Sequence, residues 1–242
     1  MNGIKCPFTV DLDFGGLIMI FKEIQMDIPF INNKSGNNNI EEYERTWKWK
    51  RRQFQLMTRC MTSMIERLIP SIKTKDYWKL LIECVKDNPD TGYKNMLGVC
   101  VIQIQFDIEG FFEMDDIEKK QYVIEKILHT IDLLLEYGFL ELEVIKEACR
   151  SIINNQYVNE WYWKKPIKKK SNSVQVKLVH DIYEISIFMV FNPDSDSKEE
   201  KLLLKALPDE WDYGKYLGKL EWITDNRAQL VGKDGEVYSC DL

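Results

Sequence analysis

Histidine is the scarcest general base in this chain of 242 residues: only His129 and His180 are present. A Cys–His or Ser–His–Asp nucleophilic site would have to draw its base from these two, and no G-x-S-x-G occurs. Asp181 adjoins His180, so a site of two histidines and a carboxylate can be written down. The two histidines are fifty-one residues apart, however, with no local ligand spacing around either. His129 falls within a helix-like stretch beside its apolar face, and both histidines are read as structural or surface groups. The six cysteines (Cys6, Cys60, Cys84, Cys100, Cys149 and Cys240) are never closer than sixteen residues, and no C-x-x-C exists. Most lie inside apolar patterns and are read as buried free thiols in a reducing compartment. Neither G-x-x-x-x-G-K-[ST] nor G-x-G-x-x-G occurs. Gly15-Gly16, after Asp11 and Asp13, reads as a turn. No catalytic residue, metal or cofactor is expected.

Charge is more informative. The chain holds 39 acidic and 33 basic residues, for a net charge of −6. A general phosphate-backbone binder is usually basic, so a basic partner fits this balance better. From Asp107 to Glu147 there are twelve acids and four bases, a local charge of −8. Within it, Glu109, Glu113, Asp115 and Asp116 fall near predicted loop positions, and Asp194 and Asp196 fall in a later one. A divalent-cation site is the sharper reading of such a cluster. Asp115 and Asp116 at a helix N-terminus are the simpler one. Two basic stretches interleaved with tryptophan run against the overall sign. One holds Trp49, Arg51 and Arg52; the other holds Lys164, Lys165, Lys168, Lys169 and Lys170. Such patches can stack bases and follow phosphates. They can equally be the wet side of an amphipathic element.

Hydropathy periods predict the elements that must carry these residues. Leu17 to Phe21 reads as a strand and Asn32 to Asn39 as a polar loop. Trp47, Phe54, Met57, Met61, Met64 and Leu68 share one stripe of a long helix from about Ile40 to Leu68, ended by Pro70. Trp49 lies off that stripe. Tyr77, Leu80, Leu81, Cys84 and Val85 fit a second, shorter helix. Cys100, Ile102, Ile104 and Phe106 alternate as a strand, whose best partners are the C-terminal strands. Asp115 and Glu118 form a capping-box pattern before a helix stopped by Gly138. Another helix follows, from about Glu141 to Tyr157. Lys164 to Lys170 reads as an exposed connector. The remainder is strand-rich, with a bend near His180-Asp181, an ambiguous Leu202 to Ala206, and a hairpin turn at Asp234-Gly235. The expected class is α+β, a helical N-terminal half packed on a mainly antiparallel C-terminal sheet. The expected organisation is one domain over residues 1–242, divisible at most into a mainly helical 1–92 and a mixed 93–242.

The stretch from Asp107 to Leu242 resembles immunity proteins of bacterial polymorphic-toxin and contact-dependent inhibition systems. The likeness lies in the strand, the Asp115-led helix ending at Gly138, the second helix, and the tail Leu217-Gly218-Lys219-Leu220-Glu221-Trp222 with Lys233-Asp234-Gly235-Glu236-Val237-Tyr238. It implies a non-enzymatic cytoplasmic inhibitor whose partner is one cognate protein toxin. Glu109, Glu113, Asp115, Asp116, Asp194 and Asp196 are then the candidate partner-binding residues. The start of the chain lacks the ordered regions of a signal peptide, and no membrane association is expected. The alternative is a nucleic-acid-contacting accessory protein using the two basic-aromatic stretches.

Overall fold

The structure is a computed structural model and describes residues 18–30 and 39–242. Cys6, Gly15-Gly16 and nearly all of the Asn-rich loop lie outside the described residues. The chain begins with β1 (Ile18–Ile20) and β2 (Glu23–Asp27). A short α1 (Asn39–Glu42) runs through a π-helical turn into the long α2 (Lys48–Leu68). Then come β3 (Lys73–Lys75), β4 (Lys79–Val85), β5 (Tyr93–Met96) and β6 (Val99–Gln105). The helices α3 (Ile108–Glu113), α4 (Asp116–Glu136) and α5 (Glu143–Asn154) follow. The C-terminal part is β7 (Glu160–Lys169), β8 (Asn172–His180), β9 (Ile185–Phe191), β10 (Glu199–Ala206), the single turn α6 (Glu210–Tyr213), β11 (Lys219–Trp222), β12 (Arg227–Val231) and β13 (Val237–Asp241). The class is α+β, with antiparallel sheets at the C-terminus.

The long helix forms where its stripe predicts. Phe54, Met57, Met61 and Ile65 are buried, and Trp47 donates its indole N–H to the Ile28 carbonyl at 3.0 Å. The predicted helix over Tyr77–Val85 is instead β4, a strand. Its residues alternate between fully buried Leu80, Ile82 and Cys84 and half-buried Leu81 and Glu83. β4 sits between β2 and β6, parallel to both, in a sheet of order β2-β4-β6-β5. The even positions are the one fully apolar face of the strand, and Leu81 and Val85 on the other face, beside Lys79 and Glu83, add the apolar residues that also satisfy helical spacing. The pairing expected for Ile102 is corrected by the same sheet. β6 aligns Ile102 with Ile82 of β4 and Tyr93 of β5, not with any C-terminal strand.

Two hydrophobic clusters result. The first joins this sheet to α2, α4 and α5 through residues such as Ile24, Ile82, Ile104, Phe54, Ile127 and Ile145. The second lies among the antiparallel sheets β10-β9-β8-β7 and β11-β12-β13, with Val176, Leu178, Ile187, Met189 and Leu230 buried. The Lys164 to Lys170 segment, expected as a connector, belongs to β7 and pairs with β8 across a register break between Trp163 and Ile167. Lys164 there has a left-handed φ of 60°. Its alternate residues Trp161, Trp163 and Ile167 face the second cluster, which hides a strand inside a lysine-rich run. The ambiguous Leu202 to Ala206 is strand, part of β10.

The capping box at α4 is complete. Asp115 accepts from the Glu118 backbone N–H at 2.8 Å, and Glu118 accepts from the Asp115 N–H at 2.9 Å. Asp115→Ala should therefore cost about 1 kcal/mol in urea unfolding. Asp116→Asn, which loses only a charge in the first turn, should cost about 0.5 kcal/mol or less. Equal costs would contradict the cap.

Candidate functional site

A cleft of about 580 Å³ lies where α2, β2 and the turn leading into α6 meet. Its walls are held by ion pairs between distant parts of the chain. Arg59 of α2 donates to both oxygens of Glu66, at 2.7 Å each, and to both oxygens of Glu210, at 2.7 and 2.8 Å. Glu66 in turn accepts from the Ile24 backbone N–H at 2.8 Å, joining α2 to the outer side of β2. Burial works against the Arg59 charge, but the two carboxylates outweigh it and raise its pKa. Burial also pushes the Glu66 carboxyl up, against the pull of Arg59. Two turns earlier Arg52 pairs with Asp209, whose carboxylate also caps α6 through the Trp211 N–H at 2.9 Å.

Tryptophan stands at two ends of this arrangement. Trp211 is 94% exposed on the cleft rim. Trp49 is 76% exposed beside an adjoining hollow of about 310 Å³ that shares Arg52 and Gln55 with the cleft. The hollow is floored by Arg51, which holds both oxygens of buried Asp27; Gln55 and the Ile28 N–H bond the same carboxylate.

A second polar cluster lies on the C-terminal half of α2. The Cys60 thiol donates to the His180 carbonyl at 3.1 Å, and Ser63 Oγ lies 3.3 Å from His180 Nδ1. Asn159 donates its amide to the Cys60 carbonyl. The fold thus gathers cysteine, serine, histidine and asparagine, but their protonation runs against nucleophilic chemistry. Burial pushes the Cys60 thiol up to about 12. Burial, with Arg67 and Arg59 adding repulsion, pulls the His180 imidazole down to about 3. An activated thiolate needs the reverse of both shifts. His180 Nε2 has no hydrogen-bond partner among the described residues. Asp181 is occupied by Lys120 at 2.6 Å and by the Ile182 N–H.

The sequence-predicted acids fall into two separate places. Glu109, Glu113, Asp115 and Asp116 cluster on α3 and its junction with α4, all exposed. Glu109 pairs with Lys50 of α2, which sets this acidic corner beside the Trp49 end of that helix. Asp115 is committed to its cap. Asp194 and Asp196 stand in the β9–β10 connection of the antiparallel sheet, and no ion pair or hydrogen bond among the described residues joins them to the first group. The basic stretches are also apart, on α2 and β7. Arg51 and Arg52 already hold Asp27 and Asp209, and Lys169 and Lys170 both meet Asp225. Lys164 lies over the Trp163 ring at 4.0 Å; Lys165 and Lys168 are exposed.

Sequence reasoning missed Arg59, Glu210 and Trp211. Arg59 and Glu210 are 151 residues apart, so no local pattern could pair them. Trp211 carried one usable signal: it sits in the acidic run Asp209-Glu210-Trp211-Asp212 after Pro208, where charged neighbours on both sides favour a solvent-exposed position.

No family model, curated protein or solved structure matches this chain. No helix among the described residues is long and apolar enough to cross a membrane.

Two measurements test this geometry. Arg59→Met should destabilise the chain by about 2 kcal/mol in urea, and Glu210→Gln added to it should cost little more. The second concerns His180. Its folded value of about 3 lies below the ordinary 6.5, so between those pH values the unfolded chain binds a proton that the folded chain does not. The stabilisation is complete above pH 6.5 and is lost as pH falls towards 3, at no more than about 1.4 kcal/mol per pH unit. Urea midpoints between about pH 4 and pH 7 should fall more steeply for the wild type than for His180→Gln. Parallel curves would remove His180 from the acid response.

Proposed function

We propose that the chain is a non-enzymatic, cytoplasmic binding protein, an immunity protein that neutralises a cognate bacterial toxin by covering its active surface. One observation carries the reading: Trp49 and Trp211 project into solvent at two hollows that share Arg52 and Gln55 and whose walls are locked by internal ion pairs. Tryptophan and arginine dominate the energetics of protein interfaces. Burying each indole against a partner would contribute about 3 kcal/mol, with little ordering cost on this side because Asp209 fixes the turn before Trp211. Exposed Glu113 and Asp116, close to the Lys50–Glu109 pair at the Trp49 end, supply a negative field that would speed encounter with a basic toxin. The inert state of the Cys60–His180 cluster agrees with a binding role for this part of the molecule. Nucleic-acid contact would have to compete with Asp27 and Asp209 for Arg51 and Arg52, which leaves Trp49 with few free cations beside it.

Affinity capture from a lysate of the source organism at low salt, read by mass spectrometry and by the 260/280 nm ratio, would identify the partner. The expected result is one stoichiometric protein. Against it, Trp49→Ala and Trp211→Ala should each raise Kd at least about tenfold. Neutralising Glu113 and Asp116, with the Asp115 cap left intact, should slow association at low salt and leave dissociation unchanged. Recovery of nucleic acid with no protein partner would overturn the reading.

A further inference from the structure

We propose that Arg67, laid flat on Trp161, is an oxyanion-binding site that takes a carboxylate or a phosphate. The Arg67 guanidinium carbon lies 3.7 Å from the centroid of the Trp161 ring. One terminal nitrogen donates to the Asn159 side-chain oxygen and the other to Ser63 Oγ at 3.4 Å. Both acceptors are themselves fixed, because Asn159 is tied to the Cys60 carbonyl and Ser63 to the His180 ring. The guanidinium is therefore held in one plane and one position before any ligand arrives. A guanidinium has five N–H donors, and two of the five have partners among the described residues. The side chain is not enclosed: Arg67 is an exposed residue at the C-terminal end of α2.

Arg67, like Arg45 and Arg150, has no ion pair among the described residues; what sets it apart is that its guanidinium is stacked on an indole and held by neutral groups. Arg51, Arg52 and Arg59 are all anchored on carboxylates, and Arg227 faces Asp241. Arg67 is anchored only on neutral groups, in a chain that has more acids than bases. Partial burial pulls its pKa down, with Tyr213 and Glu210 opposing from a distance. Glu210, the one acid whose charge acts on Arg67, spends both oxygens on Arg59. A stacked, planar fork with free N–H groups is the geometry that binds carboxylate or phosphate in a bidentate manner. The site lies outside the Trp49 and Trp211 hollows, and the inference does not depend on the docking reading.

The test uses the full chain labelled with ¹⁵N. The Arg67 Nε–H and Trp161 indole N–H signals are followed during titration with sodium acetate and, separately, sodium phosphate, with sodium chloride at matched ionic strength as reference. Saturable shifts of both signals with acetate or phosphate, absent with chloride, are expected. Acetate and phosphate saturating alike means a general oxyanion site, and phosphate alone means a phosphate ligand. Arg67→Gln should abolish saturation at the Trp161 signal. Arg67→Lys, which keeps the charge and loses the fork, should weaken binding at least fivefold while preserving the fold. Shifts that stay linear and match chloride would overturn the site, as would saturation that survives in Arg67→Gln.

Discussion

The arrangement of the two halves of this protein depends on Arg59. Its guanidinium uses three nitrogens to hold two carboxylates, one on its own helix and one 151 residues later. Such a pair is costly to desolvate and gains only if its hydrogen bonds are complete. Here they are, because Glu66 also takes the Ile24 N–H. The same few atoms therefore fix α2 to β2 on one side and to the start of α6 on the other. Arg52 with Asp209 repeats the connection two turns earlier. α2 becomes a shared wall: its apolar stripe enters the first core, and its polar flank faces the antiparallel sheets.

That polar flank explains why residues of catalytic type meet without catalytic chemistry. Cys60, Ser63, Asn159 and His180 are linked by hydrogen bonds across a buried seam. Desolvation keeps the thiol protonated and the imidazole neutral. Each is thereby a hydrogen-bonding group and not a charge carrier. Exposed to solvent are the indoles of Trp49 and Trp211, an acidic corner at one end of α2, and at the other end the Arg67 guanidinium laid on an indole.

Legibility in the sequence followed the range of the interaction. The stripe of α2, the Asp115 cap, the Gly138 stop and the Asp234-Gly235 hairpin are local, decided by neighbours within a few residues, and all were readable. β4 was not, because Leu80, Leu81, Cys84 and Val85 satisfy a helical face and a two-sided strand equally. Only the presence of β2 and β6 on either side selects the strand. β7 was hidden for a related reason. Its lysines point to water on alternate positions, and the bulge after Trp163 breaks the count of two. Of the candidate site residues, Trp49 could be placed off the apolar stripe from helix spacing alone, and it is exposed.

By itself, then, the sequence determined the α+β class, the positions of the long helices, their caps, and the acidic character of Asp107 to Glu147. These follow from periodicity, capping chemistry and summed charge, which need no knowledge of distant contacts. The tertiary structure alone decided which charges are spent and which are free. Glu210 and Asp209 are consumed by Arg59 and Arg52, Asp225 by two lysines, and Asp115 by its cap, whereas Arg67 is left with neutral partners. A charge's role depends on what lies within a few ångströms of it, and that neighbourhood is assembled from segments far apart in the chain.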